Sequence, residues 1–416
     1  MKMNDLHPAL NRCLWICREM TDPLVSGDRV YSSGLSRALA RSGVEVSFVA
    51  HQGENRQPDP DGHPVKFFGV EGGTYNDYRI AVTSDLPVTA GIQGTPAFHK
   101  QLARLLEEQR FDCIVLDQLG SGWALAPVRK WIDTERAKGN TVPMVIYLAH
   151  NHETAVWAGM AKESQRGPLR NLMVRRNADK VARLESRLVK ESDLVLTITE
   201  EDAGAFADMG AVIRPTVLTP GYSGPRVESR NITAATPRRI VMVGSFKWAP
   251  KEENLRQFLK VADGAFKSAG IHFDVIGKVP DSLRSALEPG LQATTLHGFV
   301  QDIEPIFANA RMAVIPELIG GGFKLKLLDY LFGRLPMASI GAAAAGMPDP
   351  IREQMILADD LQSLVDAIIA NIDNVERLQQ MQQKGYLLAE AAYSWDERGV
   401  EMKAAIESAL NIALVP

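Results

Sequence analysis

An alternation of short apolar runs with helical patterns extends along nearly the whole chain and constrains the fold more than any other feature. The runs of the first half contain valine, isoleucine and leucine without alternating polar residues; they are 13–17, 44–50, 113–116, 144–149 and 194–198. Parallel strands that are covered on both faces have this pattern. Helical patterns lie between the runs, for example at 31–42 and 98–109. The alternation predicts right-handed crossovers and a doubly wound α/β sheet.

The pattern stops once and then begins again. Residues 219–225 are rich in turn-forming glycine and proline, and 227–238 is polar without an apolar period. New apolar runs follow at 240–243, 273–276, 294–296, 313–315, 335–339 and 355–358. Because 416 residues exceed one ordinary hydrophobic core, the break predicts two α/β domains, 1–225 and 226–394. The remaining residues, 395–416, predict a helix that can pack back on the first domain.

The composition excludes several classes of protein. A net charge of −4 leaves no basic footprint for nucleic-acid binding. The three cysteines, Cys13, Cys17 and Cys113, are too few for a disulfide scaffold and fit buried thiols better than a zinc site. The N-terminus has no apolar core of a signal peptide, and the longest apolar stretches are too short to cross a bilayer. We therefore expect a cytoplasmic protein, soluble or bound at the inner membrane surface.

The glycine-rich segment 316–329 carries the clearest chemical signal. Its candidate phosphate-binding residues are Gly320, Gly321, Gly322, Lys324 and Lys326. After the glycines we predict a helix over 323–332, whose N-terminal amides and first-turn lysines can bind a diphosphate. Lys326 shares a helix face with Asp329, which can accept hydrogen bonds from ribose hydroxyls. A glycine-rich loop with two solvated lysines explains the same residues equally well.

Five motifs of the second half follow one another in order: 241–250, 273–277, 297–303, 320–329 and 333–336. This succession resembles the donor-binding half of glycosyltransferase family 4 and its bacterial exopolysaccharide-type relatives. The first half resembles the family more loosely, at 26–28, 43–46 and 192–202. The resemblance implies the GT-B fold, with two Rossmann-like, doubly wound domains facing across a cleft. It also implies a nucleotide sugar bound by the C-terminal domain, retention of configuration, and no metal or other cofactor.

The resemblance assigns roles to residues of the second domain. Asp329 matches the second carboxylate of the family's Glu-x7-Glu pattern, which holds the ribose. Gly321 stands where the first carboxylate is expected, as in the family's glycine-rich variants, and Glu317 lies four residues too early to replace it. Phe299 and Val300 match the loop that contacts the base.

Two glycines that follow first strands are further candidates. In the second domain Gly244 is followed by Ser245, where many family members have an arginine, and we consider Lys247 and Lys251 as replacements in the phosphate clamp. In the first domain Gly27 can bring backbone amides toward the donor or acceptor. The same segment can equally serve only to begin a helix.

Residues 147–153 place two histidines and a glutamate directly after a predicted strand. The carboxyl ends of parallel strands are where α/β sheets bind ligands. His150, His152 and Glu153 lack the H-E-x-x-H spacing and a distant third ligand, which disfavours a metal site. The resemblance implies that His150 or His152, with Glu153 nearby, lies at the donor sugar and acceptor. A capped turn before a helix is the structural alternative.

Residues 165–190 combine basic and apolar side chains at helical spacing. Such a helix can lie on an anionic membrane surface, which would suit a lipid-linked acceptor. Packing on the first sheet with a solvated basic face is the simpler interpretation, and we favour it.

These observations predict transfer of a hexose-type sugar from a nucleotide diphosphate donor, UDP- or GDP-linked or similar, to a hydroxyl acceptor in polysaccharide or glycoconjugate synthesis. The alternatives are a nucleotide-sugar epimerase of the same fold, a non-catalytic nucleotide-sugar-binding protein, and a structural module that binds no nucleotide. Retention follows from the resemblance alone, because the sequence places no two carboxylates at a defined separation.

Overall fold

We describe the protein from a computed structural model, which places residues 10–20, 26–52, 65–72, 83–163, 168–246, 249–318 and 322–413. The chain divides into two compact units. Unit 1 contains Met1–Gly221 and Ser394–Pro416, and unit 2 contains Tyr222–Tyr393. Within the described residues, every helix is too short or too polar to span a bilayer.

Unit 1 is built on a parallel sheet. Its strands are β1 (Arg12–Glu19), β2 (Glu45–His51), β3 (Val65–Val70), β4 (Cys113–Asp117), β5 (Met144–Leu148), β6 (Leu194–Thr197) and β7 (Thr216–Val217). The seven strands have the order β3-β2-β1-β4-β5-β6-β7. Its helices up to the end of this sheet are α1 (Gly27–Arg41), α2 (Val88–Gly91), α3 (Pro96–Glu108), α4 (Leu125–Ala137), α5 (Glu153–Glu163), α6 (Pro168–Glu191) and α7 (Glu200–Met209).

Unit 2 is built on a second parallel sheet. Its strands are β8 (Arg239–Val243), β9 (His272–Ile276), β10 (Thr294–Gly298), β11 (Met312–Ile315), β12 (Met337–Ile340) and β13 (Met355–Ala358). The six strands have the order β10-β9-β8-β11-β12-β13. The helices are α8 (Ala249–Ala269), α9 (Asp281–Leu287), α10 (Glu304–Ala308), α11 (Lys326–Phe332), α12 (Asp349–Arg352), α13 (Leu361–Asn371) and α14 (Val375–Ala392). The last helix, α15 (Trp395–Ala413), belongs to unit 1, where it packs along α1.

The predicted α/β class is confirmed, and each predicted apolar run overlaps a strand. The match follows from burial, because β4 and β5, for example, are buried at every residue and so carry no polar alternation. The edge strands β3 and β7 gave no such signal. Lys66 in β3 is exposed, and both residues of β7 are half-buried.

Two helices begin elsewhere than predicted. The helix expected over 31–42 begins at Gly27, directly after the extended Ser26. The helix expected over 323–332 begins at Lys326, because Gly322 has a left-handed φ of 68° and a turn follows it. The prediction that Lys324 lies in the first turn of this helix is therefore wrong.

The strand order reverses beside the first strand of each sheet. β1 lies between β2 and β4, and β8 lies between β9 and β11. Open α/β sheets bind ligands at the carboxyl ends of the strands beside such a reversal. The residues that follow β1 and β4 in unit 1, and β8 and β11 in unit 2, are therefore the first candidates for a functional site.

Candidate functional site

In unit 2, the chain after β8 approaches the chain after β9 very closely. The Gly244 amide donates to the Ile276 carbonyl at 2.9 Å. Gly277 has φ 123°, and a Cβ at that position would lie 1.8 Å from the Gly244 carbonyl oxygen. A side chain at position 277 is therefore excluded by both the dihedral angle and the space. Ser245 is exposed directly beyond this contact.

A buried glutamate gathers lysines after β11. Glu317 accepts a hydrogen bond from the Lys326 ammonium, and Lys324 Nζ lies 3.9 Å from its other carboxylate oxygen. Burial raises the pKa of Glu317, but Lys326 and Lys324 outweigh it and hold that pKa below its usual value. The pKa of Lys251 is lowered, mainly by burial and also by the positive charge of Lys326. The negative charge of Glu317 acts in the opposite direction. We call Glu317, Lys251, Lys324 and Lys326 the lysine edge.

The lysine edge alters the interpretation of two predicted residues. Lys324 and Lys326 are not solvated, since their side chains are only 14% exposed. In the sequence, Glu317 lies four residues too early to replace the first carboxylate. In the structure, Glu317 is the carboxylate that both lysines contact. Together the three lysines and the glutamate of the lysine edge carry a formal charge of +2.

Asp329 lies one turn into α11 and is largely buried. Its Oδ1 lies 3.1 Å from the hydroxyl of Tyr222, and burial raises its pKa to about 6. Tyr222 was not predicted, because it is 107 residues away in the chain. The sequence marked Tyr222 only as part of the turn-rich segment 219–225, which precedes the first strand of unit 2.

The remaining candidates of unit 2 are not part of the lysine edge. Phe299 is 77% exposed after β10, and Val300 is half-buried against the core of the unit. Lys247, Gly320 and Gly321 lie outside the described residues.

In unit 1, the ends of β4 and the neighbouring β5 bring a histidine beside an aspartate. His150 follows β5, and its Nε2 lies 2.8 Å from Oδ1 of Asp117, the last residue of β4. Asp117 is fully buried and accepts a hydrogen bond of 2.8 Å from the indole N–H of Trp15. Tyr31 packs edge-on against the His150 ring at 4.9 Å. The indole contact fixes the carboxylate against which the imidazole rests.

Asp28, one residue after Gly27, is close to the same histidine. It lies in the first turn of α1 and pairs with Arg18 at 2.5 Å. Burial raises the pKa of Asp28, but Arg18, Ser26 and His150 together hold it below its usual value. We call Asp28, Asp117 and His150 the histidine edge. Gly27 itself is the first residue of α1.

His152 and Glu153 lie at the start of α5 rather than beside Asp117. His152 Nε2 is 3.9 Å from Glu185 Oε2, and burial lowers the pKa of His152. The Glu153 side chain is largely buried, and burial raises its pKa. Among the described residues, no three histidine, cysteine or acidic side chains are arranged to hold a metal ion.

Glu185 is a functional candidate that the sequence did not reveal. This buried residue of α6 accepts the backbone N–H groups of Glu153 and Thr154, each at 2.8 Å, and so caps α5. Burial raises its pKa to about 7. In the sequence, Glu185 is one of three acids in a basic helix, and nothing there indicates a cap made across 32 residues.

The helix α6, which contains most of the basic segment 165–190, packs on the core of unit 1, as the simpler interpretation predicts. The core of unit 1 includes the α6 residues Val181, Leu184, Leu188 and Val189. Leu172 and Met173, nearer the N-terminus of α6, are exposed by 46% and 47%, beside the exposed Arg175 and Arg176.

Family profiles match most of the chain. The profile of the glycosyl transferase 4-like domain matches residues 26–221, and that of glycosyl transferases group 1 matches residues 237–374. Among curated proteins, none matches the chain.

Solved structures with the same fold cover nearly the whole chain. Anabaena HepE in complex with UDP and glucose has a TM-score of 0.58 at 11% identity, covering 96% of this chain and 100% of that one. A trehalose-phosphate synthase (UDP-forming) from Burkholderia vietnamiensis has 0.62 at 14%, covering 99% of each chain. A variant of S. aureus TarM, in complex with Fondaparinux, alpha-GlcNAc-glycerol and UDP, has 0.62 at 10%, covering 95% and 100%. At these low identities, the structural likeness shows the GT-B fold alone.

Proposed function

Because the chain belongs to the family 4-like glycosyltransferases of the GT-B fold, we propose that it moves a hexose-type sugar from a nucleoside diphosphate donor to a hydroxyl acceptor in polysaccharide or glycoconjugate synthesis. We further propose that transfer retains the anomeric configuration and uses no metal ion. The lysine edge is the observation that carries the proposal.

The chemical task that limits sugar transfer is the departure of the nucleoside diphosphate. Negative charge grows on the diphosphate as its bond to the sugar breaks, so fixed positive charge near it lowers the barrier. Lys251, Lys324 and Lys326 supply that charge, and Glu317 keeps two of the lysines in place. Lysines in this position perform the charge neutralisation that a divalent cation performs in other transferases.

The nucleoside has two candidate contacts in unit 2. We propose that Asp329, whose carboxylate contacts the Tyr222 hydroxyl, accepts hydrogen bonds from ribose hydroxyls and that the exposed ring of Phe299 packs on the base. In unit 1, we propose that His150 contacts the transferred sugar or the acceptor, held in orientation by Asp117. His152 and Glu153, the next candidates along the chain, lie at the start of α5, whose first amides donate to Glu185.

A thermal-shift screen with UDP, GDP, ADP and their sugars tests the proposal. A ligand present at a hundred times its Kd stabilises the native state by about 2.7 kcal/mol, which raises the apparent Tm by several degrees. We expect a diphosphate to produce this shift in the wild type and Lys326→Ala to abolish it, because the variant loses a cation of the lysine edge and leaves Glu317 without its hydrogen-bonded lysine.

The matched control is Lys384→Ala, which removes an exposed lysine from α14 of the same unit. Each variant is compared with and without ligand, so a general loss of stability cancels. A full shift in Lys326→Ala would remove the lysine edge from the phosphate site, and the absence of any shift in the wild type would contradict nucleotide binding altogether.

Product analysis separates the alternatives that also bind a nucleotide sugar. An epimerase would convert the donor without an acceptor, whereas a non-catalytic binding protein would give neither transfer nor slow donor hydrolysis. We also propose that the exposed end of α6 contacts an anionic membrane that holds a lipid-linked acceptor, since Leu172 and Met173 lie beside Arg175 and Arg176. Sedimentation with anionic and neutral vesicles tests this contact, which equal binding to both or to neither would contradict.

A further inference from the structure

Tyr222 faces two acceptors with a single phenolic proton. Its hydroxyl oxygen lies 3.1 Å from Oδ1 of Asp329 and 3.1 Å from the carbonyl oxygen of Pro225. Because a phenol has one proton, it can donate to only one of these acceptors at a time. Both contacts are hydrogen bonds at once only when Asp329 is protonated and itself donates to the phenol.

The phenol ring is held so that its hydroxyl stays between these two acceptors. The ring stacks on Phe332 with centroids 4.3 Å apart and an interplanar angle of 5°. The Tyr222 amide donates to the Tyr393 carbonyl at 3.0 Å. A Cβ at Gly224 would lie 2.4 Å from the phenolic oxygen, so a side chain there would push the phenol away from Asp329. Glycine at position 224 is therefore part of the arrangement.

We infer that Tyr222 is a positioning residue, which holds the Asp329 carboxyl in the free protein and releases it to the nucleoside when the donor binds. The inference rests on the proposed function, in which Asp329 accepts a hydrogen bond from a ribose hydroxyl. When that hydroxyl donates to Asp329, the phenol turns its proton to the Pro225 carbonyl. No donor loses its partner in the exchange, which avoids the cost of an unsatisfied polar group.

Charged and titratable groups act on Asp329 or on its partner Tyr222 from several segments. Asp329 interacts with Tyr222 and with Tyr330 of α11, Glu317 interacts with the same Tyr330, and Arg226 interacts with Tyr222. On α14, Glu390 pairs with Arg226, and Tyr386 packs against Phe332 and Arg334. Burial raises the pKa of Asp329 to about 6, and the hydrogen bond from Tyr222 acts in the opposite direction. Removing the phenolic hydroxyl therefore raises this pKa further. The ionised carboxylate that accepts from ribose then becomes scarcer at neutral pH.

Calorimetric titration of UDP, GDP and ADP between about pH 5 and pH 8 tests the inference in the wild type, Tyr222→Phe and Gly224→Ala. The phosphate groups of the ligand titrate in the same range, so each affinity is divided by that of Asp329→Asn at the same pH. We expect the wild-type ratio to rise about tenfold from pH 5 to pH 7, as a carboxyl with a pKa of about 6 becomes ionised.

Both variants are expected to bind about threefold to tenfold more weakly than the wild type near pH 6.5 and to approach it at pH 8, because the midpoint of the rise moves to higher pH. Tyr222→Phe keeps the stack on Phe332, and Gly224→Ala displaces the phenol without removing it. Tyr386→Phe is the control, since Tyr386 packs edge-on against the same Phe332 ring. It should keep the wild-type profile.

Three results would overturn the inference, and they are distinguishable. Wild-type profiles in both variants would show that the phenol does not act on Asp329. An equal loss of affinity at every pH would show a packing role only. Failure of the wild type to bind any of the three nucleotides would contradict the proposed function, and this role of Tyr222 would fall with it.

Discussion

The lysine edge and the histidine edge occupy the same topological position in two sheets, yet they are built in different ways. In unit 2, Gly277 allows two strand ends to touch through their backbones, and lysines gather around one glutamate. In unit 1, side chains make the contacts, with Trp15 and His150 on Asp117 and Arg18 on Asp28. The fold thus determines where a site forms, whereas the local side chains determine its charge.

This difference fits two parts of one reaction. In the proposed reaction, the departing diphosphate needs positive charge, which the lysine edge carries, and the Gly277 contact with Gly244 fixes the backbone elsewhere in unit 2. The same proposal assigns the orientation of sugar or acceptor hydroxyl groups to the directional side chains of the histidine edge. The comparison can be tested first on the backbone, then on the titration of the carboxylates, and last on one side-chain contact.

The largest expected effect comes from Gly277→Ala in unit 2. The new Cβ would overlap the Gly244 carbonyl oxygen, at 1.8 Å, in a backbone conformation with φ 123° that alanine rarely adopts. Strain and overlap together should cost about 4 kcal/mol or more. Thermal unfolding should show an apparent Tm lower by roughly 10 °C.

Gly120→Ala is the matched change at the reversal of the first sheet. Its new Cβ would meet Arg18 Cβ at 3.5 Å, an ordinary van der Waals distance, so the expected effect is within about 1 kcal/mol. Equal losses in the two variants would contradict the claim that close backbone approach distinguishes the sheet reversal of unit 2 from that of unit 1.

The second prediction is that two buried glutamates titrate with opposite effects on stability. Burial raises the pKa of Glu185 in unit 1 to about 7, so its protonated form is favoured in the folded state. Its contribution is complete below the unfolded pKa and is lost as the pH rises through about 7. Glu317 in unit 2 has a lowered pKa, so its contribution is present above the unfolded pKa and is lost as the pH falls through the folded pKa.

Thermal unfolding across pH measures both contributions, with Glu185→Gln and Glu317→Gln as the references. The wild type should lose roughly 3 kcal/mol relative to Glu185→Gln between about pH 4 and pH 9. Relative to Glu317→Gln it should lose stability only at acid pH. Parallel curves for the wild type and both variants would show that neither carboxyl titrates as its surroundings indicate.

The apolar runs predicted the interior strands well, because a strand buried on both faces has apolar residues at nearly every position. The same signal was absent from β3 and β7, whose residues are partly exposed at the sheet edges. The start of α11 was misplaced, since Phe323 and Leu325 continue an apolar pattern but belong to a turn. Local pattern therefore predicted fold class more reliably than helix ends.

The site was predictable only where its residues are neighbours in the chain. Spacing along the sequence set Glu317 aside, yet the loop folds so that Lys326, nine residues later, contacts it. Trp15 and Asp117 are 102 residues apart and meet because β1 and β4 are adjacent in the sheet. Such contacts depend on which strands are neighbours in the sheet. A single sequence does not show this order, so it does not show which distant side chains meet.

The smallest expected effect comes from Asp117→Asn at the histidine edge. Asparagine keeps an oxygen to accept from the Trp15 indole but replaces the charge beside His150 with an amide. We expect a loss of about 1 kcal/mol in the free energy of unfolding and a fall of about tenfold in kcat with little change in KM for the donor. Asp112→Asn is the control, because the Asp112 side chain, just before β4 and at the opposite end of that strand from Asp117, accepts backbone N–H groups of Asn11 and Arg12. Its substitution should lower stability without lowering kcat. If Asp117→Asn also leaves kcat unchanged, the histidine edge is a structural contact and unit 1 contributes to transfer through other residues.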